Sequence, residues 1–183
     1  VDIRDYIERF GTADGKRLID HFTSAPFGWS QDTLRYLLAA QLVAGEVKLK
    51  VSGREVTVNG QQAIDALKSN VAIKNVGVAL RDDRPSMDVL ARAAQRLTEL
   101  TGEDVIPLEQ DISKAATKQL PSIQQQLGPF AERLKQLALP GAERINTLNQ
   151  EITDLLQTDA SDAAQRFGGE ESPLADGLSW ALD

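Results

Sequence analysis

Apolar residues recur along this chain at two spacings, and the switches between them predict its elements. Ile3, Tyr6, Ile7 and Phe10 fall three or four apart, the period of one helix face, and Gly11 supplies a stop. Leu18, Ile19 and Phe22 predict a second helix starting near Asp14 or Gly15 and ending before Pro26, which disfavours helical geometry at Ala25. Ser30 is placed as an N-cap, and Leu34, Leu37, Leu38 and Leu42, broadened by Tyr36 and Ala40, carry a third helix to Ala44, with Gly45 terminating it. The period then drops to two. Val47, Leu49 and Val51 alternate with Lys48, Lys50 and Ser52, and after Gly53, Val56 and Val58 alternate with Glu55 and Thr57. Two such runs joined at a glycine predict a β-hairpin with one dry face. Ile64 and Leu67 predict a short helix over 61–68, and the β-branched run 71–80 predicts one further strand.

Beyond the polar knot Arg81-Asp82-Asp83-Arg84-Pro85 every stripe is helical. Ser86 caps a helix through Val89, Leu90, Ala93, Leu97 and Leu100 that stops at Gly102. Pro107 opens another through Ile112, Ala116 and Leu120, which Pro121 is expected to interrupt. Phe130, Leu134 and Leu137 then form a separate helix ending at Pro140-Gly141, and Ile145, Leu148, Ile152, Leu155 and Leu156 form the last strong stripe. After a loop at Gly168–Pro173, residues 174–182 predict a short terminal helix. The fold class is mainly α: a winged-helix-like α/β module with a β-hairpin wing, then an antiparallel helical bundle. The expected divisions are 1–84 for the winged helix, 85–168 for the bundle, and 169–183 for a linker and short helix.

Composition narrows the chemistry. The 183 residues contain no cysteine, which excludes disulfides and Cys-ligated zinc and suits a reducing, cytoplasmic setting. No apolar run reaches the roughly 20 residues that span a bilayer, so no membrane partner is expected. The chain opens on Val1 and holds one methionine, Met87, which reads as a fragment or a processed chain. The net charge of −7 is uneven: residues 1–84 carry 12 basic and 11 acidic side chains, and the remainder 8 and 16. The acidic second half repels nucleic acid and suits a protein partner.

No catalytic constellation emerges. Gly11, Gly15 and Lys16 imitate a phosphate loop, but only three residues separate the glycines instead of four, and Arg17 stands where the magnesium-binding Ser or Thr belongs. His21, the one histidine, has no Cys or second His to form a metal site, and reads as structural. Asp82 and Asp83 are flanked by Arg81 and Arg84, which reads as a solvated, self-paired turn, and Glu170-Glu171 lies in a loop. No enzyme activity, metal or cofactor is expected of this chain.

The winged helix raises the question of nucleic acid. In helix-turn-helix proteins the second helix reads bases from its N-terminal residues. Here that helix would offer Ser30, Gln31, Thr33 and Arg35, and the wing Lys48, Lys50 and Arg54. Asp32, Glu46 and Glu55 leave the whole 30–58 segment at only +1, so docking of protein competes with contact to DNA. Trp29 and Phe27 have two readings, stacking on a base or partner, or pinning the turn to the core.

Pro26-Phe27-Gly28-Trp29-Ser30-Gln31-Asp32-Thr33-Leu34-Arg35, the continuation Leu42–Leu49, and the helical region after Asp82-Asp83-Arg84-Pro85-Ser86 together resemble the large P-loop, AAA-like ATPase subunit of BREX phage-defence systems, the BrxC (PglY-related) family. The resemblance implies a setting in which an ATPase works with a methyltransferase and other components to mark host DNA and block phage. The family's P-loop has no counterpart in these residues, so the chain would be a downstream, non-catalytic piece serving assembly or DNA engagement, with other BREX subunits or a second copy as partner. The alternative is a free-standing winged-helix DNA-binding regulator whose acidic helical half dimerises.

Overall fold

The computed structural model describes residues 2–183, which divide into a first compact unit ending at Arg84 and a second beginning at Pro85. In the first unit, α1 (Ile3–Phe10) is held at its start by a capping box: the Asp2 side chain accepts from the Arg4 amide, and Asp5 accepts from the Asp2 amide. Then come β1 (Ala13–Asp14), α2 (Gly15–Thr23) and α3 (Gln31–Val43). The hairpin β2 (Val47–Val51) and β3 (Arg54–Val56) turns through Ser52 and Gly53, at φ of 51° and 78°. Two consecutive left-handed residues match the twist of the flanking strands, as a type I′ turn does. The segment α4 (Gln61–Leu67), a 3₁₀ turn at Ile73–Asn75 and β4 (Gly77–Leu80) completes the unit.

All four strands pair antiparallel in the order β1-β4-β2-β3. Leu49 faces both Val56 and Val78 across the sheet, and this inner face meets Ile3, Ile7, Leu18, Phe22, Leu34 and Leu38 in one core.

Four expectations change here. Ala13–Asp14, at the expected start of the second helix, instead forms an edge strand beside β4. Of the run 71–80 only Gly77–Leu80 is strand; the Ser69 hydroxyl accepts from the Ala72 amide and winds the preceding residues into a turn that buries Ile73. In α4 the inward residues are Ala63 and Ala66, while Ile64 is exposed, so small side chains set its approach to the core. Tyr36 does not broaden the buried stripe of α3: it is 78% exposed.

The second unit comprises α5 (Met87–Thr101), α6 (Glu109–Gln136), α7 (Ala142–Leu156), α8 (Ala163–Gly168) and α9 (Pro173–Leu182). The helix expected to break at Pro121 continues through it, and through Pro129, for 28 residues. Its buried stripe Ile112, Ala116, Leu120, Ile123, Leu127, Ala131 runs past both prolines without losing register. Burial along that stripe outweighs the lost backbone donors. The short 137–141 link returns the chain antiparallel as α7. Arg96 donates to the carbonyls of Phe167, Gly169 and Glu170, tying the end of α8 to α5. Leu174 and Leu178 of α9 lie in the same core as Leu97 and Phe167.

Candidate interaction surface of the winged helix

Ser30 initiates α3, its hydroxyl accepting from the Thr33 amide at 3.0 Å and sharing a 2.8 Å hydrogen bond with the Thr33 hydroxyl. Leu34, Leu38 and Leu42 then turn into the core, which leaves Asp32, Thr33, Tyr36, Leu37, Ala40 and Val43 toward solvent. Beyond its first turn, with Asp32 and Thr33, that outer face is apolar through Leu37, Ala40 and Val43 and otherwise carries Tyr36. Val43 is 68% exposed and Leu37 also reaches water.

The one cation of this helix is committed elsewhere. Arg35 makes a 2.6 Å ion pair with Asp32 and donates to the Leu67 carbonyl at the end of α4 at 3.0 Å, with its side chain 22% exposed. A shallow cleft of about 170 Å³ lies beside it, lined by Arg35, Tyr36, Ala39 and Leu67. Of the helix residues expected as contacts, Ser30 and Thr33 are exposed but occupied with capping, Gln31 is half-buried, and Arg35 braces α3 against α4.

Trp29 is half-buried. Its ring stacks on Phe22 at 4.8 Å between centroids and 13° between planes, and its amide donates to the Phe22 carbonyl. Phe27 packs on the same Phe22 at 5.0 Å. These rings pin the α2–α3 turn to the core.

The wing cations differ from one another. Lys48 lies on the outer face of β2 between Glu55 Oε2 at 3.2 Å and Asp83 Oδ2 at 3.3 Å, its side chain only 12% exposed. Burial works against the ammonium, but the hydrogen bond to Glu55 and the charge of Asp83 outweigh it and raise the Lys48 pKa above its usual value. Lys50 is half-buried and donates to the Thr12 hydroxyl at 3.4 Å. Arg54 stands exposed at the start of β3. The wing therefore presents Lys50 and Arg54, while Lys48 is tied into the fold.

The remaining candidates have structural settings. His21 lies against Tyr6, Phe22 and Phe27, with ring centroids 4.5–5.3 Å away. With Asp5, Arg9 and Phe10, three of these residues (Tyr6, His21 and Phe27) line an open cleft of about 490 Å³ that no sequence pattern marks, because its residues come from α1, α2 and the turn after α2. Gly15, the second glycine of the loop-like stretch, sits where a Cβ would lie 1.8 Å from the Ile73 carbonyl oxygen. It exists for close packing of α2 on the 3₁₀ turn. Asp83 is more than a self-paired turn residue, since it reaches Lys48 as well as Arg81. That contact spans 35 residues and has no local signature. No helix of the described residues is long and apolar enough to cross a membrane, and no group of three or more His, Cys, Asp or Glu among them is placed to hold a metal ion.

A helix-turn-helix, a capped exposed helix and a following two-strand wing converge in the first unit. Residues 2–82 match the family described as the BREX ATP-binding protein BrxC winged helix-turn-helix domain. No curated protein and no solved structure matches the chain significantly. Residues 2–82 therefore belong to the winged helix-turn-helix domain family of the BREX ATP-binding protein BrxC.

Proposed function

We propose that this winged helix is a protein-docking module of a BREX assembly, and that the outer face of α3 is its docking surface. The observation that carries the reading is the composition of that face. Tyr36, Leu37, Ala40 and Val43 are turned outward where a DNA reader needs donors and cations, and Arg35 is held by Asp32 and the Leu67 carbonyl. An exposed apolar stripe on a stably capped helix suits the apolar surface of another subunit. A phosphate backbone gains little from it, because affinity for DNA scales with the cations brought to the phosphates. The domain works in this reading without chemistry of its own, positioning the second unit and any linked ATPase within the complex. Other BREX components are the partners.

The test compares two double variants of the chain in binding to purified BREX components. Tyr36→Ala with Val43→Ala is expected to weaken assembly by at least about tenfold, the loss of roughly 1.4 kcal/mol of interface energy. Lys50→Ala with Arg54→Ala is expected to leave it unchanged. The reading fails if the apolar pair is silent, or if the native chain binds duplex DNA at nanomolar concentration and the basic pair abolishes that binding.

A further inference from the structure

The segment entering the second unit is fastened to the wing and to the end of α3 by three of its four residues, Arg81, Asp83 and Arg84. The Arg81 amide donates to the Glu46 carbonyl at 2.9 Å. Asp83 takes the Lys48 ammonium on β2 at 3.3 Å. Arg84 donates to the carbonyls of both Ala44 and Gly45, with Nη2 to Ala44 at 2.7 Å and Nε to Gly45 at 2.7 Å. The Ala44 carbonyl is that of the C-cap, left without an intrahelical partner at the negative end of α3, and Gly45 follows it, so the guanidinium is favoured there by hydrogen bond and by charge together.

Gly45 is fitted to this arrangement twice over. Its φ of 69° suits glycine, and a Cβ there would lie 2.8 Å from Arg84 Nη2. Pro85 follows the fastened segment, and Ser86 after it caps α5 with its hydroxyl on the Val89 amide.

We infer that residues 81–84 are a latch, closed in this structure, that decides whether the connector entering the second unit is part of the winged helix or a free tether. Its contacts run to the end of α3 and to the wing, so a distortion of either acts on the latch. Opening it frees about four residues, which adds at most roughly 13 Å of reach. The closed form depends on charge at Lys48, Asp83 and Arg84, and the latch is therefore sensitive to salt. This inference stands whether or not α3 docks a partner.

Hydrogen exchange on the whole chain tests it, with cleavage by an Asp-specific protease at Asp82 and Asp83 as a second reading. In the native chain the Arg81 amide exchanges slowly and cleavage there is slow. Arg84→Ala is expected to speed both by about tenfold or more, the scale of losing hydrogen bonds made by a charged group. Arg84→Lys restores one point charge but not the fork, and recovers the native behaviour only in part. Asp83→Asn, which leaves the helix-end contact in place and is read by exchange alone because it removes a cleavage site, gives a smaller rise, and 1 M salt moves the native chain toward the variants. Exchange in α5–α9 stays native throughout. The latch is refuted if residues 81–84 exchange and cleave in the native chain as fast as in Arg84→Ala, or if the variants alter α3 and the core while leaving 81–84 protected.

Discussion

Single residues in this domain divide by where their chemistry is spent. Trp29 and Tyr36 are aromatic neighbours on the same turn and helix, yet one stacks on Phe22 and the other faces water. Trp29→Ala is expected to cost about 2–4 kcal/mol in urea unfolding, near the lower range for aromatic truncation because the ring is half-buried. Tyr36→Ala should stay within about 0.5 kcal/mol of native, as exposed positions do. Lys48 gives a pH test. Its folded-state pKa is raised, so its contribution is fully present below the ordinary lysine value near 10.5 and is lost as pH climbs through the higher folded value. Stability measured from pH 9 to 11.5 should fall more steeply in the native chain than in Lys48→Met, which is less stable at pH 9 but lacks that loss. Glu103, held below its usual range by the Lys118 hydrogen bond, acts in the opposite direction, its contribution present above the unfolded pKa and fading as acid protonates it.

At the scale of elements, what could be read from sequence was whatever local pattern controls. The starts of α2, α3 and α5 follow from Asp14, Ser30 and Ser86, and the hairpin follows from alternation around Gly53, whereas the Asp2 capping box of α1 emerged only in the structure. Contacts between distant segments left no such trace. β1 exists because β4, more than sixty residues later, lies beside it, and Ile64 turns outward because alanines bring α4 close. The continuity of α6 through two prolines reflects packing against α7, which local propensity opposes. Pro121→Ala or Pro129→Ala should therefore stabilise the second unit, by about 1–3 kcal/mol, since each restores a backbone donor in a helix already formed. Gly15→Ala should do the reverse. A methyl group 1.8 Å from the Ile73 carbonyl forces α2 off the 3₁₀ turn, and a loss of about 1–3 kcal/mol in thermal unfolding is expected.

For the whole molecule, the two buried clusters share no residue: Leu38 and its neighbours belong to one, Leu97 and its neighbours to the other. Leu38→Ala should accordingly lower the stability of the first unit by about 2–5 kcal/mol and leave exchange in α5–α9 at its native rate. The family and the winged helix were legible in the chain, but the surface chemistry was not. Spacing placed Arg35 and Lys48 among the groups available for contact, and only the folded arrangement commits them to Asp32, Leu67, Glu55 and Asp83. What remains exposed on α3 beyond its first turn is Tyr36, Leu37, Ala40 and Val43, and the proposed role in docking rests on that. The most direct measurement is the hydrogen-exchange footprint of the chain alone, with purified BREX components, and with duplex DNA at low salt. Docking through α3 predicts new protection over residues 31–44 with the protein components and none there with DNA. Protection at 30–35 and 48–54 by DNA, with α3 unchanged by the proteins, would contradict it.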